Sequence, residues 1–273
     1  MMTIEPTSTD HAGLPDALGV RHARAPEARI VSLVPSITEL LCELGLAPRM
    51  AGRTGFCIHP AGLVAAIPKV GGTKDVNIDK IRALAPTHLV VNIDENEKPT
   101  VEKLAEFVPH IVVTHPQRPA DNLALARLMG GVFGAEQAAA AWCRAFEQEF
   151  AALRALPRGP ARKVLYCIWQ DPWMSVSADT YIANMLAELG WSVPDLGPSR
   201  YPRFEWSSEL VAGLDAVLLS SEPYRFTEAH ADALERQLGK PVFLVDGEMM
   251  SWYGSRALAG VRYLREVRAM LEG

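Results

Sequence analysis

Both halves of this chain carry the same short pattern, a buried strand followed by a helix that ends in nearly the same six residues. In the first half RIVSLV (29 to 34) precedes PSITELLCELG, and in the second KVLYCIW (163 to 169) precedes a helix ending MLAELG, so that LLCELG at 40 to 45 matches MLAELG at 185 to 190. Aliphatic and β-branched runs without alternation read as strands buried on both faces, which is the habit of parallel sheets. Each closing Gly falls where a helix needs its left-handed C′ residue. Ser36 and Glu39, after Pro35, read as an S-x-x-E capping box.

The echo continues downstream. DKIRALAPTHLVV (79 to 91) resembles SSELVAGLDAVLL (207 to 219), each a short helix feeding an apolar strand, and HIVVT (110 to 114) and PVFLV (241 to 245) supply the next strand of each half. Strands alternating with helices predict an α/β fold with parallel sheets and right-handed crossovers, and two copies predict two similar lobes. Between them lies a stretch rich in Ala, Glu, Gln, Leu and Arg with no internal Pro, which predicts one helix from 135 to 156, about 33 Å long. The expected organisation is a loose N-terminal extension (1 to 28), an N-terminal lobe (29 to 134), a connecting backbone helix (135 to 157) and a C-terminal lobe (158 to 273). At 273 residues, each lobe can bury its own core.

Composition removes several functions. A formal charge of −5 without a basic stripe argues against a nucleic-acid partner, whose affinity rests on clustered Lys and Arg. Hydrophobic residues at 49% and a mean hydropathy of +0.05 are ordinary for a soluble α/β protein and point to no transmembrane segment. The first 28 residues hold no apolar run of seven, so as the sequence stands the expected compartment is cytoplasmic, or periplasmic if the start of the chain is incomplete. Cys42, Cys57, Cys143 and Cys167 show no CxxC pairing and read as small buried hydrophobes.

In parallel α/β sheets, ligands gather beyond the carboxyl ends of the strands, where loops and helix N-termini converge. After LVV come Asn92, Asp94 and Glu95, and after AVLL come Ser220, Ser221, Glu222, Pro223 and Tyr224. After KVLYCIW come Asp171, Pro172 and Trp173, and after PVFLV the run from Asp246 to Tyr253 that includes Trp252. Trp142 and Trp191 read as packing residues, and so does Trp206. His88 and His110 precede their strands and fall at the opposite edge. His59 and His115 lie on the favourable side but lack a second ligand at metal spacing, so no metal site and no cofactor are expected. GGTK (71 to 74) and GGVFG (130 to 134) lack the order of a phosphate loop, and neither a nucleophile elbow nor H-E-x-x-H is present. Nothing in these motifs calls for an enzyme.

Taken together, SLVPSITELLCELG, GRTGFCIHP, VGGTKDVNIDKIRALAPTHLVV, DPWMSVSADTYIANMLAELG, SEPYRF and VDGEMMSWYGSR resemble the helical-backbone periplasmic-binding-protein family, over residues 29 to 270. The family includes cobalamin- and iron–siderophore-binding proteins of ABC-type uptake systems. The resemblance implies two Rossmann-like lobes joined by a single long backbone helix, with a metal chelate in a shallow cleft that closes little. It implies aromatic ligand contacts at Phe56 and Tyr201, whereas Thr73 and Asn92 fall where other aromatics are expected and Trp169, Trp173, Trp252 and Tyr253 can compensate. Stacking aromatics suit the face of a planar chelate, and Lys74 suits acidic groups on its edge. The expected ligand site is therefore Phe56, Thr73, Lys74 and Glu95 from the first lobe with Trp169, Trp173, Tyr201, Glu222, Trp252 and Tyr253 from the second. Relatives that serve transporters also present one carboxylate per lobe to an ABC permease; Asp79 matches the first, and the second position looks like Ser207 with Glu209 nearby. A sensor, chaperone or interaction protein that keeps the receptor fold without a permease is the alternative.

Overall fold

The computed structural model describes residues 13 to 272. Contacts divide the chain into two compact units: unit 1 holds the residues up to His115 together with Ala126–Ala140, and unit 2 holds Pro116–Leu125 together with the residues from Ala141 onward. The chain passes from one to the other after His115, after Leu125 and after Ala140, the last two inside the helices Asp121–Phe133 and Glu136–Arg154.

Unit 1 is built on a four-stranded parallel sheet in the order Met50–Arg53, Ile30–Ser32, His88–Asn92, His110–Thr114. Its core takes Val31, Leu33, Val70, Ile81, Leu89, Val91 and Leu104, each no more than 2% exposed. The unbroken apolar runs follow from this, since strands covered on both faces have no outward-facing positions. Gly52 is needed in its strand because a Cβ there would stand 2.9 Å from Val70 Cγ1 and 3.0 Å from Leu84 Cδ1. The helix Pro35–Glu43 corrects one reading. Its N-cap is Val34, which makes no side-chain cap, and Ser36 is the second helical residue, so the expected capping box does not form. Proline at the first helical position, with φ already fixed, starts the helix one residue too early for Ser36 to cap it. Gly45 and Gly190 both stand at φ 78°, the left-handed geometry expected of them.

The stretch expected to be a loose extension is, from Gly13 onward, part of unit 1; residues 1 to 12 lie outside the described residues. Leu14–Pro15 and Arg21–His22 form a short antiparallel pair. The buried Asp16 carboxylate accepts from the backbone N–H groups of Leu18 (2.9 Å), Val20 (3.0 Å) and Val113 (3.0 Å), and lies 3.0 Å from His22 Nε2. Ala17 N–H donates to Val113 O at 2.9 Å, so the segment covers part of the edge strand His110–Thr114. A two-residue strand pair carries no periodic pattern, which is why composition alone made this region look unstructured.

Unit 2 repeats the plan. Val242–Val245, Ala216–Ser220 and Arg162–Trp169 run parallel, Met174–Ser175 returns antiparallel beside Arg162–Trp169, and Trp191–Ser192 pairs parallel with the amino end of that same strand. One core cluster takes Leu165, Cys167, Leu214, Val217, Leu219, Phe226 and Leu234. The helix Arg256–Glu272 buries Ala257, Gly260, Val261, Leu264 and Val267. All four cysteines are buried thiols rather than disulfide partners, and burial pushes the Cys42 thiol up to about 11.

Candidate functional site

Among large apolar side chains that remain exposed, several sit just beyond strand carboxyl ends. In unit 1 these are Phe56 (63% exposed) and Ile58 (53%), after Met50–Arg53, and Ile93 (45%), after His88–Asn92. Phe56 lies against the next loop, since a Cβ at Gly72 would stand 3.3 Å from its Cε2. Thr73 is half-buried and Lys74 exposed. The loop is held by Asn96, whose Nδ2 donates to Thr73 O (3.0 Å) and Leu33 O (3.2 Å) while its Oδ1 accepts from Asn92 N–H (2.8 Å). One amide thus ties the 73 loop to two strand ends. Glu95 is half-buried beside it in sequence, and Asp94 Oδ2 lies 3.3 Å from His115 Nε2.

In unit 2, Trp169 ends its strand 39% exposed, with Tyr224 edge-on at 5.5 Å, and Tyr201 is 36% exposed. Trp252 is fixed by Glu222. Its Nε1 donates to Glu222 Oε1 at 2.7 Å, Ser251 Oγ donates to the same oxygen at 3.0 Å, and the Arg256 guanidinium stands 5.1 Å from the centre of the Trp252 ring. Arg256 in turn pairs with Glu248 at 2.9 Å. Gly247 makes room for this arrangement, since a Cβ there would come within 2.6 Å of Glu222 Cγ.

Two of the predicted aromatics face inward. Trp173 stacks on Phe226 (5.8 Å, 11°) and meets Trp206 edge-on at 5.4 Å, on the core of unit 2. Tyr253 is 8% exposed and packs edge-on to Tyr181 at 5.9 Å. Their first role is therefore packing. Ile58, Ile93 and Asn96 did not emerge from the sequence; for the two isoleucines the only signal was position directly after a strand, because exposure is set by tertiary packing.

Burial holds the Glu222 carboxyl above its ordinary range, against the lowering effect of the Ser251 and Trp252 hydrogen bonds. A carboxyl raised in the folded state stabilises fully below its unfolded value, near 4.3, and loses that contribution as pH rises through the folded value. Glu222→Gln is therefore expected to gain stability relative to the natural chain between pH 4 and pH 8, measured by urea unfolding at both pH values. A difference that stays constant or falls over that range would sink this account.

Asp79 and Glu209 occupy the same place in the two units. Each is the exposed second residue of a short helix, Ile78–Leu84 or Ser208–Ala212, behind an N-cap whose side chain accepts from the N3 backbone N–H: Asn77 from Lys80 at 2.9 Å and Ser207 from Leu210 at 3.1 Å. The helix register thus aligns Asp79 with Glu209, and Ser207 with Asn77. Among the described residues, no group of three or more His, Cys, Asp or Glu is placed to hold a metal ion, and no helix is long and apolar enough to cross a membrane.

Two α/β units with mainly parallel sheets, with exposed aromatic and aliphatic side chains at strand ends, define the class as a two-lobed α/β protein. The chain belongs to the periplasmic binding protein family, whose model matches residues 30–196. A vitamin B12-binding protein of Pectobacterium carotovorum subsp. carotovorum (strain PC1) is 21% identical over 246 residues, 89% of this chain and 88% of that one. The crystal structure of the periplasmic vitamin B12-binding protein of Vibrio cholerae is similar at a TM-score of 0.75 and 17% identity, covering 90% of this chain and 97% of that one. The periplasmic heme-binding protein of Roseiflexus sp. RS-1, in its apo form, gives a TM-score of 0.73 at 21% identity, covering 90% and 98%. At these identities the solved structures establish the fold. The family and these relatives are binding proteins.

Proposed function

We propose that this protein binds a metal chelate of the corrinoid or iron–chelate type and delivers it to an ABC-type permease, without turning it over. The observation that carries this reading is the set of exposed apolar side chains: Phe56, Ile58 and Ile93 just past strands of unit 1, Trp169 at the end of a strand of unit 2, and Tyr201 in the segment ahead of Ser208–Ala212. Exposed aromatics held by their neighbours offer flat apolar surface at little conformational cost, which suits the face of a macrocycle. Lys74, Glu95 and the Glu222–Trp252 pair supply polar contacts for its edge. The relatives named above as vitamin B12- and heme-binding support the ligand class. Asp79 and Glu209, equivalent in position and exposed, are the carboxylates proposed to meet the permease.

Calorimetry of the full chain against cobalamin, cobinamide, haem and ferric siderophores tests the reading, with binding of at least one chelate as the expected result. Phe56→Ala and Trp169→Ala are each expected to weaken that chelate by about 1 to 2 kcal/mol, roughly tenfold, with the melting temperature unchanged. Trp173→Ala is expected to do the reverse, costing about 2 kcal/mol of stability and leaving the affinity of the folded protein as it was. Failure of every chelate to bind, or an affinity that responds to Trp173 and ignores Phe56 and Trp169, overturns the assignment.

A further inference from the structure

Unit 2 holds a cavity of about 700 Å³ that the proposed ligand surface does not use. Ala161, the residue before the strand Arg162–Trp169, is part of its wall, which puts the cavity at the amino end of that strand, opposite the end that carries Trp169. Four arginines line it, Arg118, Arg154, Arg158 and Arg268, with a single lining carboxylate, Glu188. In a chain of formal charge −5 this is a local reversal of sign.

Two of the guanidinium groups are held in fixed poses. Arg154 pairs with Glu188 through Nε and Nη2, each at 2.8 Å, and lies 4.0 Å over the Phe150 ring. Arg268 donates from Nε to Glu272 Oε1 and from Nη1 to Pro157 O, each at 2.6 Å. A guanidinium has five N–H donors, so both retain protons to give. Among the described residues, Arg118 and Arg158 have no side-chain partner. With Glu188 and Glu272 each offsetting one arginine, two positive charges remain on the cavity wall. Leu156 and Pro119 add an apolar side, and Leu156 stays 39% exposed.

We propose that this cavity binds a small molecule that carries two or more phosphate groups together with a flat aromatic base, the chemistry of a nucleoside di- or triphosphate. Guanidinium forks match phosphate oxygens in bidentate geometry, and several in one concavity concentrate the field on a polyvalent anion. The apolar side receives the ring. The cavity is roomy enough for such a ligand, as small-molecule sites of about 300 to 1,000 Å³ are.

Titrating the full chain with ADP and, separately, with inorganic pyrophosphate by calorimetry at low and high sodium chloride tests the site. ADP is expected to bind, to weaken as salt screens the arginines, and to bind about tenfold or more weakly to the double variant Arg118→Ala, Arg158→Ala. Both side chains are exposed, so this variant is expected to keep its circular dichroism spectrum and its affinity for whichever metal chelate the natural chain binds. No heat with ADP at millimolar concentration, or equal ADP affinity in the folded double variant, would overturn the site. Pyrophosphate binding as tightly as ADP would overturn the role given to the apolar side.

Discussion

Phe146→Ala is expected to lower the stability of the protein by about 3 to 5 kcal/mol, the range for removing a fully buried aromatic side chain. Phe146 is 0% exposed and sits mid-helix in Glu136–Arg154, with Trp142 stacked at 5.3 Å and Phe150 at 5.4 Å on either side. These three residues recur every four positions along one face of the helix, the spacing at which side chains on a helix lie one above the next. Because its two neighbours are fixed to the same backbone, they cannot move together to fill the space the ring leaves. The cost therefore includes a cavity term as well as lost burial. Gln148→Ala, an exposed position on the same helix, is expected to change stability by no more than about 0.5 kcal/mol. Urea unfolding of both variants decides the matter, and a loss below about 1 kcal/mol for Phe146→Ala would show that the face is loosely packed.

Acid is expected to weaken the protein through His88. This residue is 4% exposed, its Nδ1 lies 2.9 Å from Thr87 Oγ1, and its ring is stacked on His110 at 4.6 Å with Phe133 edge-on at 5.5 Å. Burial first, then the charges of His110 and His22, hold it down to about 4. Its ordinary value is near 6.5, so between those two values the unfolded chain binds a proton that the folded chain refuses. Stability attributable to His88 is complete above about pH 6.5 and is lost as pH falls through the folded value, by up to about 3 kcal/mol. His88→Gln removes the titrating group and should flatten the dependence on pH over that window relative to the natural chain. Parallel slopes for the two proteins from pH 7 to pH 4 would assign the acid sensitivity to other groups.

Much of the architecture could be read from residue order, because the repeated strand and helix words are long enough to carry a periodicity. The apolar runs at 30, 88, 164 and 216 became buried parallel strands, and the two glycines that close the echo took left-handed geometry. Shorter features were harder to read. Ser36 looked like a cap until Pro35 started the helix ahead of it, and the segment from Gly13 is held by one carboxylate, Asp16, rather than by any pattern. For the candidate site, the sequence pointed to loops at the strand ends but could not orient their side chains. Trp169 and Trp173 are four residues apart in the same polar turn. The chain reverses there, with Asp171 at φ 59° and Met174 paired antiparallel to Trp169, so one ring stays exposed and the other folds back onto Phe226. The alignment of Asp79 with Glu209 likewise depended on where each short helix begins, which capping decides and composition does not.

The segment around Asp16 bears on how the folded chain behaves in concentrated solution. One of the two outer strands of the four-stranded sheet in unit 1, HIVVT, is short and apolar, and it is the kind of border to which a neighbouring chain can add a strand of its own. Asp16 and Ala17 occupy the N–H and C=O of Val113, next to the last residue of that strand, so the border is already engaged by its own polypeptide. Trimming the protein back to its first core strand at Ile30 would leave every pairing of the four-stranded sheet intact and still uncover a self-adhesive rim. The short N-terminal hairpin is thus a guard against aggregation, and its value rises with concentration.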